Sequence, residues 1–115
     1  MDRDAMRQQL RHRNLQAFRI VCETGSATRA AERLGLSQPA ISQLIGRLER
    51  AFALQLFVRG LGRRLEPTPQ ARSLYIEVCR TLDAMADLEA AVGAIGRTRT
   101  SGEHEGGLSL ECRTA

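Results

Sequence analysis

Apolar residues recur every three to four positions over much of the chain, a spacing typical of amphipathic helices. Leu15, Phe18 and Val21 follow this spacing and predict a first helix that begins near Asn14. Gly25 comes directly after the pattern, where a glycine can end a helix in the left-handed conformation. The polar residues 1–13 either extend this helix or form a loose basic arm.

Two short helical patterns separated by a turn follow the first helix. Each opens on a serine that can cap a helix N-terminus, Ser26 for the first and Ser37 for the second. The turn between them contains Gly35, which we expect to supply the positive φ that such a turn needs. Two helices joined in this way form a helix-turn-helix, whose second helix enters the major groove of DNA. The pattern therefore makes the chain a candidate DNA reader.

A short apolar run and a glycine-rich turn come next. Leu54–Val58 has the character of a strand, and the following Arg59–Arg64 holds two glycines and three arginines. Leu65 and Glu66 can form the returning strand. The pattern predicts a β-hairpin with an arginine-rich tip.

A long helix is predicted after the hairpin, with Thr68 as its N-cap and Pro69 as its first residue. The pattern continues to about Ala94, so the helix is about 40 Å long at about 1.5 Å per residue. So small a domain cannot bury a helix of that length. Its apolar stripe consists of Leu74, Val78, Leu82, Met85, Leu88 and Val92, with Ile95 alongside.

Composition and charge favour a small, mainly α domain that binds a polyanion. The chain of 115 residues is 43% hydrophobic but only 3% aromatic, so its core is aliphatic. Residues 1–64 hold 12 arginines and 5 acidic residues, whereas residues 65–115 hold 5 arginines and 8 acidic residues. All of the basic excess thus accompanies the helix-turn-helix, which indicates a nucleic-acid partner. The plainer alternative is a solvated arginine-rich surface.

No pattern for catalysis or metal binding is present in the sequence. Cys22, Cys79 and Cys112 lie far apart without a Cys-x-x-Cys motif, which argues against a metal site or a disulfide framework. No nucleophile–base arrangement or phosphate loop is found, so we expect neither an enzyme nor a cofactor. No apolar run has the length of a membrane span, and we expect a cytoplasmic protein with no membrane partner.

The chain resembles the N-terminal domain of LysR-type transcriptional regulators over about residues 14–95. The motifs that carry the resemblance are Gly25-Ser26-Ala27-Thr28-Arg29-Ala30-Ala31-Glu32-Arg33-Leu34, Leu36-Ser37-Gln38-Pro39-Ala40-Ile41-Ser42, Leu56-Phe57-Val58-Arg59 and Thr68-Pro69-Gln70-Ala71. The resemblance implies a mainly α fold, a winged helix-turn-helix with a small β-hairpin wing followed by a long linker helix. In the family, linker helices pair antiparallel into a dimer that binds double-stranded DNA at a site with dyad symmetry. The resemblance therefore implies a homodimer whose surface is the whole apolar stripe from Leu74 to Val92. The alternative is a stripe that folds back onto its own chain.

The implied organisation has four parts, and the chain departs from the family in length. The parts are an N-terminal arm at 1–13, the winged domain at 14–68, the linker helix at 69–95 and a flexible tail at 96–115. Gly107–Leu110 in the tail is similar to the start of the family's effector-binding domain, which is otherwise missing. We therefore expect no small-molecule effector and interpret the chain as a fragment or a truncated regulator.

The resemblance also assigns DNA contacts by position. Gln38 begins the recognition helix and can form a hydrogen bond with a base edge. Pro39 and Ala40 can contact thymine methyl groups. Arg59 matches the arginine that reaches the minor groove in this family. The complete set of expected contacts is Ser26, Thr28, Arg29, Ser37, Gln38, Pro39, Ala40, Ser42, Gln43, Arg47, Arg59, Arg63 and Arg64. The plainer alternative for these residues is that they serve only as solvated side chains and helix caps.

Two functions are carried forward. The first is a dimeric, sequence-specific transcriptional regulator. The second is a helical interaction module that regulates a full-length relative by forming mixed dimers through the same long helix.

Overall fold

The computed structural model describes residues 2–100, and the side chains of residues 2–98. It confirms the predicted mainly α class with one small hairpin and a long final helix. In chain order, the elements are α1 (Arg3–Gln9), α2 (His12–Thr24), α3 (Ala27–Leu34), α4 (Gln38–Phe52), β1 (Phe57–Arg59), a 3₁₀ turn (Leu61–Arg63), β2 (Leu65–Pro67) and α5 (Pro69–Thr100). The chain divides into two compact units, the first ending at Leu82 and the second beginning at Asp83.

The N-terminal segment forms a short helix of its own, which neither sequence-based alternative described. Asp2 caps α1 by accepting a hydrogen bond from the amide of Asp4 at 3.0 Å. The helix stops because Leu10 leaves the helical region of backbone space, with φ −84° and ψ 67°. The side-chain amide of Asn14 then donates to the carbonyl of Gln9 at 2.9 Å, which ties the end of α1 to the first turn of α2.

The core is mainly aliphatic, as the composition predicts, but all three phenylalanines of the chain are buried in it, namely Phe18, Phe52 and Phe57. Its largest fully buried side chains are Phe18, Val21, Ile41, Leu48 and Leu56. Phe18 of α2 also meets Phe57 of β1 with ring centroids 5.8 Å apart and tilted by 52°. This contact anchors the hairpin on the helical core.

The hairpin is shorter than the apolar run suggests. β1 and β2 pair antiparallel, with Phe57 opposite Pro67 and Arg59 opposite Leu65. Leu54 and Leu56 lie outside the strand, in the segment between α4 and β1. The carboxylate of Glu49 on α4 accepts hydrogen bonds from the amides of Leu56 at 2.8 Å and Phe57 at 3.3 Å, so the strand begins where α4 holds it.

The apolar stripe of α5 has two different environments, and this corrects its assignment as one dimer surface. Val78 and Leu82 are only 4% and 6% exposed within their own chain, so they belong to the core of the first unit. In the second unit, the exposed fractions of Leu88, Val92 and Ile95 are 64%, 59% and 66%. The helix also extends beyond the predicted end to Thr100. Gly107–Leu110 and Cys112 lie outside the described residues.

Candidate nucleic-acid interface

The start of α3 is held by a hydrogen-bonded serine cap. The Ser26 hydroxyl accepts a hydrogen bond from the amide of Arg29 at 3.0 Å, and the amide of Ser26 donates to the Thr24 hydroxyl at 3.2 Å. Thr28 and Arg29 are exposed on this first turn. The N-terminus of a helix carries free amides and attracts anions. These side chains therefore lie where a phosphate group would be bound favourably.

The start of α4 has the same design and carries the predicted recognition residues. The Ser37 hydroxyl accepts from the amide of Ala40 at 3.1 Å, which leaves the first turn ordered despite Pro39. The side-chain amide of Gln38 donates to the Ser42 hydroxyl at 3.2 Å, so both groups point from one side of the helix. Gln38 retains its amide oxygen and a second N–H for another partner.

The remaining predicted contacts on α4 differ in accessibility. Gln43 and Arg47 are exposed, whereas Ala40 is half-buried. At Gly46, an added Cβ atom would meet only Arg50, at an ordinary contact distance of 3.5 Å. Packing within the chain therefore does not require a glycine at that position.

The hairpin is fixed to the turn between α2 and α3 through Gly25. The amide of Leu65 donates to the carbonyl of Gly25 at 3.0 Å, and Gly25 adopts the left-handed conformation with φ 70°. A Cβ atom there would come within 3.0 Å of the Arg64 side chain and 3.2 Å of the Leu65 carbonyl. Glycine thus allows both the helix end and the close approach of the hairpin. The Gly35 turn likewise has positive φ, 68°, as the sequence predicted.

These three parts enclose one cleft of about 1000 Å³. Its lining includes seven predicted contact residues: Ser26, Thr28, Gln38, Ser42, Arg59, Arg63 and Arg64. The predicted residues that do not line it are Arg29, Ser37, Pro39, Ala40, Gln43 and Arg47. The lining also contains Leu61, which sequence reasoning passed over as part of a turn. Its only sequence signal was an apolar residue between arginines.

The cleft is rich in cations without internal counter-ions. Arg59, Arg63 and Arg64 are exposed, and none of them forms an ion pair with any described residue. The ion pairs Arg19–Glu23 and Arg80–Glu77 lie elsewhere, between neighbours along α2 and α5. The arginines therefore remain available for an external anion.

The pKa values of Glu23 and Cys22 are shifted where α2 meets the start of α5. The Tyr75 hydroxyl donates to the Glu23 carboxylate at 2.5 Å, and this bond lowers the pKa of Glu23, with a further contribution from Arg19. Burial raises the pKa of the nearby Cys22 thiol to about 12. A thiol with so high a pKa stays protonated at neutral pH and is a poor nucleophile. None of these residues lines the arginine-rich cleft.

Two absences concern the described residues alone. Among them, no group of three or more His, Cys, Asp and Glu side chains is arranged to hold a metal ion. Within the same part of the chain, none of the helices combines the length and apolarity that a membrane span requires.

The winged fold and the arginine-rich cleft together define a helix-turn-helix DNA-binding domain. The family model for "Bacterial regulatory helix-turn-helix protein, lysR family" matches residues 12–72, more than half of the 115 residues. The chain therefore belongs to the LysR family, whose members are transcriptional regulators.

Individual relatives agree with this assignment. The regulatory protein NocR of Agrobacterium fabrum is 37% identical over 106 residues, which cover 92% of this chain and 33% of NocR. The octopine catabolism/uptake operon regulatory protein OccR of Rhizobium meliloti is 44% identical over 85 residues, covering 74% of this chain and 28% of OccR. The chain thus spans about a third of the length of these curated relatives.

Solved structures support the same fold. The crystal structure of BenM_DBD with catB site 1 DNA aligns with a TM-score of 0.70 and 30% identity, covering 76% of this chain and 94% of that one. That protein is bound to DNA in its crystal.

Proposed function

We propose that this chain binds a dyad-symmetric promoter site as a dimer, in the cytoplasm, and thereby regulates transcription. The observation that carries the proposal is the cleft in which Gln38, Ser42 and the hairpin arginines come together without internal counter-ions. Direct base reading needs polar groups that remain accessible, and phosphate binding needs cations that are not already paired. The cleft provides both.

Each part of the cleft has a distinct role in the proposal. Gln38 and Ser42 read base edges in the major groove, where the Gln38 amide pairs best with adenine. Ser26 and Thr28 bind phosphate beside the free amides that begin α3. Arg59, with its planar guanidinium, reaches the minor groove, and Arg63 and Arg64 neutralise the backbone.

The other expected contacts complete the surface around the cleft. Pro39 and Ala40 supply apolar contact to thymine methyl groups. Gln43 extends base reading along α4. Arg29, Ser37 and Arg47 bind phosphates at the margins, since charged and hydroxyl side chains commonly contact the DNA backbone.

In this proposal the dimer forms through the part of α5 that belongs to the second unit, after Leu82. Leu88, Val92 and Ile95 follow a spacing of four and three residues and share one helix face, and all three are exposed. Pairing this face with that of a second copy removes apolar surface from water. Val78 and Leu82 are excluded from the interface because their side chains are already buried in the first unit. Two recognition helices would then face two half-sites.

Selection from random-sequence DNA tests the proposal directly. We expect enrichment of a dyad-symmetric site. The variant Gln38→Ala should bind that site about 5- to 100-fold more weakly, which is the range for one bidentate base contact. Its affinity for random DNA should change little. Gln70→Ala is the matched control, because Gln70 is an exposed glutamine outside the cleft.

Arg63→Ala separates phosphate binding from base reading. This variant should weaken binding to selected and random DNA alike and lower the slope of log K against log salt by about 1. An equal loss on both DNAs for Gln38→Ala would remove base reading from the proposal. A selection without any enrichment would favour the alternative interaction module that acts through mixed dimers.

A further inference from the structure

Leu61 is the most exposed large apolar side chain among the described residues. Its exposed fraction is 91%, whereas those of the other exposed large apolar residues lie between 42% and 66%. A single exposed leucine needs no explanation when it is scattered on a surface. Leu61 differs because it lines the cleft between the unpaired arginines of the hairpin.

The backbone of the hairpin tip holds Leu61 in this position. The amide of Gly60 donates to the carbonyl of Arg64 at 2.7 Å, and the amide of Arg64 donates to the carbonyl of Leu61 at 3.1 Å. Gly62 and Arg63 both adopt left-handed conformations, with φ 64° and 65°. That conformation is unfavourable for arginine, and the tip contains no buried residue that would compensate for it. Such strain is typical of a segment shaped for an external contact.

The position of the tip beside α4 determines which part of DNA it would meet. The major groove is about 12 Å wide and accommodates one helix, so a hairpin beside that helix crosses the phosphate backbone toward the adjacent minor groove. The arginines on either side of Leu61 are attracted to the negative potential of a narrow minor groove. In that arrangement Leu61, which lies among these arginines, would face the floor of the same groove.

We propose that Leu61 packs into the minor groove of bound DNA and makes binding selective against a guanine 2-amino group there. This inference rests on the proposed function. A·T pairs present only acceptor atoms on the minor-groove floor, whereas G·C pairs add the N2 amino donor. An apolar side chain over that donor fills its space and removes its water without replacing the hydrogen bond, which is costly. Leu61 therefore favours A·T pairs at the flank that the hairpin reaches.

A base analogue tests this selectivity without altering the major groove. Replacing adenine by 2,6-diaminopurine in the flanks of the selected site adds a 2-amino group to the minor groove and leaves the major-groove pattern of donors and acceptors in place. We expect the unmodified protein to bind the substituted DNA about five- to tenfold more weakly, the lower end of the range for a single unfavourable base pair. Leu61→Ser should lower this penalty to about twofold or less, because a hydroxyl accepts a hydrogen bond from the added amine.

Two control variants make the result specific to the apolar contact at the tip. Leu61→Met should keep the penalty, since it preserves an apolar side chain of similar volume. Val58→Ser should also keep it, because Val58 is an exposed apolar residue of the same hairpin that does not line the cleft. Circular dichroism of each variant checks that the fold is intact.

The outcomes separate this inference from the proposed function. A full penalty in Leu61→Ser, or no penalty in the unmodified protein, would overturn the role of Leu61 while leaving promoter binding intact. Failure of the unmodified protein to select any site would overturn the proposed function itself.

Discussion

Two stretches of α5 carry the same apolar spacing and yet have opposite surroundings. In residues 69–82, Val78 and Leu82 are buried against their own chain, whereas Leu88 and Val92 in the following stretch are mostly exposed. Helical periodicity records that a face is apolar, but it does not record what covers that face. The difference teaches that one continuous stripe can be covered by its own core at one end and remain exposed at the other.

The largest effect should come from placing a charge in the buried stretch. Val78→Asp puts a carboxylate at a side chain that is 4% exposed, without any cationic partner designed for it. We expect a loss of about 3–5 kcal/mol in the free energy of unfolding, from lost packing and a desolvated polar group. Chemical denaturation measures this loss. Leu88→Asp is the matched control, compared at a protein concentration at which both variants are monomeric, and an equal loss there would mean that the two stretches do not differ.

A charge in the exposed stretch should affect association instead of folding. Val92→Asp is expected to raise the dissociation constant of the dimer by about 100-fold or more, because an apolar face must then bury a carboxylate. Sedimentation measures the constant, and circular dichroism checks the helix content. Ala90→Asp places the same charge on the opposite side of the helix and should change little. An unaffected dimer in Val92→Asp would locate the interface elsewhere.

A smaller effect is expected where the buried stretch begins. The buried Thr68 hydroxyl donates to the carbonyl of Gln55 at 2.6 Å and accepts from the amide of Ala71 at 3.1 Å, so it both caps α5 and joins it to the segment between α4 and β1. Thr68→Val keeps the shape and should cost about 1–2 kcal/mol in stability. Thr81→Val is the control, since the exposed Thr81 hydroxyl bonds only within its own helix. Comparable losses would show that the bonds of Thr68 add nothing.

The smallest effect concerns the bond between Tyr75 and Glu23, and it depends on pH. Because that bond and Arg19 lower the pKa of Glu23 from its ordinary 4.5, the carboxylate stabilises the fold above about pH 4.5, and this contribution is lost as the pH falls through the lowered value. Tyr75→Phe should cost about 0.5–1 kcal/mol at neutral pH and progressively less in acid. Thermal denaturation across pH 2.5–7 measures it, and a cost independent of pH would contradict this account.

Much of the fold follows from signals that are local in the sequence. The caps at Ser26 and Ser37, the positive φ at Gly35 and the hairpin after α4 were predicted and are present, since each depends on residues close in sequence. The separate helix α1 was not predicted, because it buries no residue and leaves no apolar stripe to detect.

The features of the site and the core that the sequence did not predict depend on contacts between residues that are distant in sequence. The burial of Val78 depends on packing that periodicity cannot identify. The cleft gathers Ser26, Gln38 and Arg59 from three separate elements, and only the tertiary structure brings Leu61 among them. For the DNA contacts, position within the family pattern was the guide, and those contacts stay predictions.

The bond between Glu49 and the start of β1 divides α4 into two parts with separable duties. Gln38, Ser42 and Gln43 occupy its first half, while Glu49 in its last turn holds the amides of Leu56 and Phe57. The face proposed to read DNA can therefore change in sequence without loss of the hairpin's attachment. Under the proposed function, substitutions in the first half of α4 alone can alter operator preference, in the laboratory or during divergence after gene duplication.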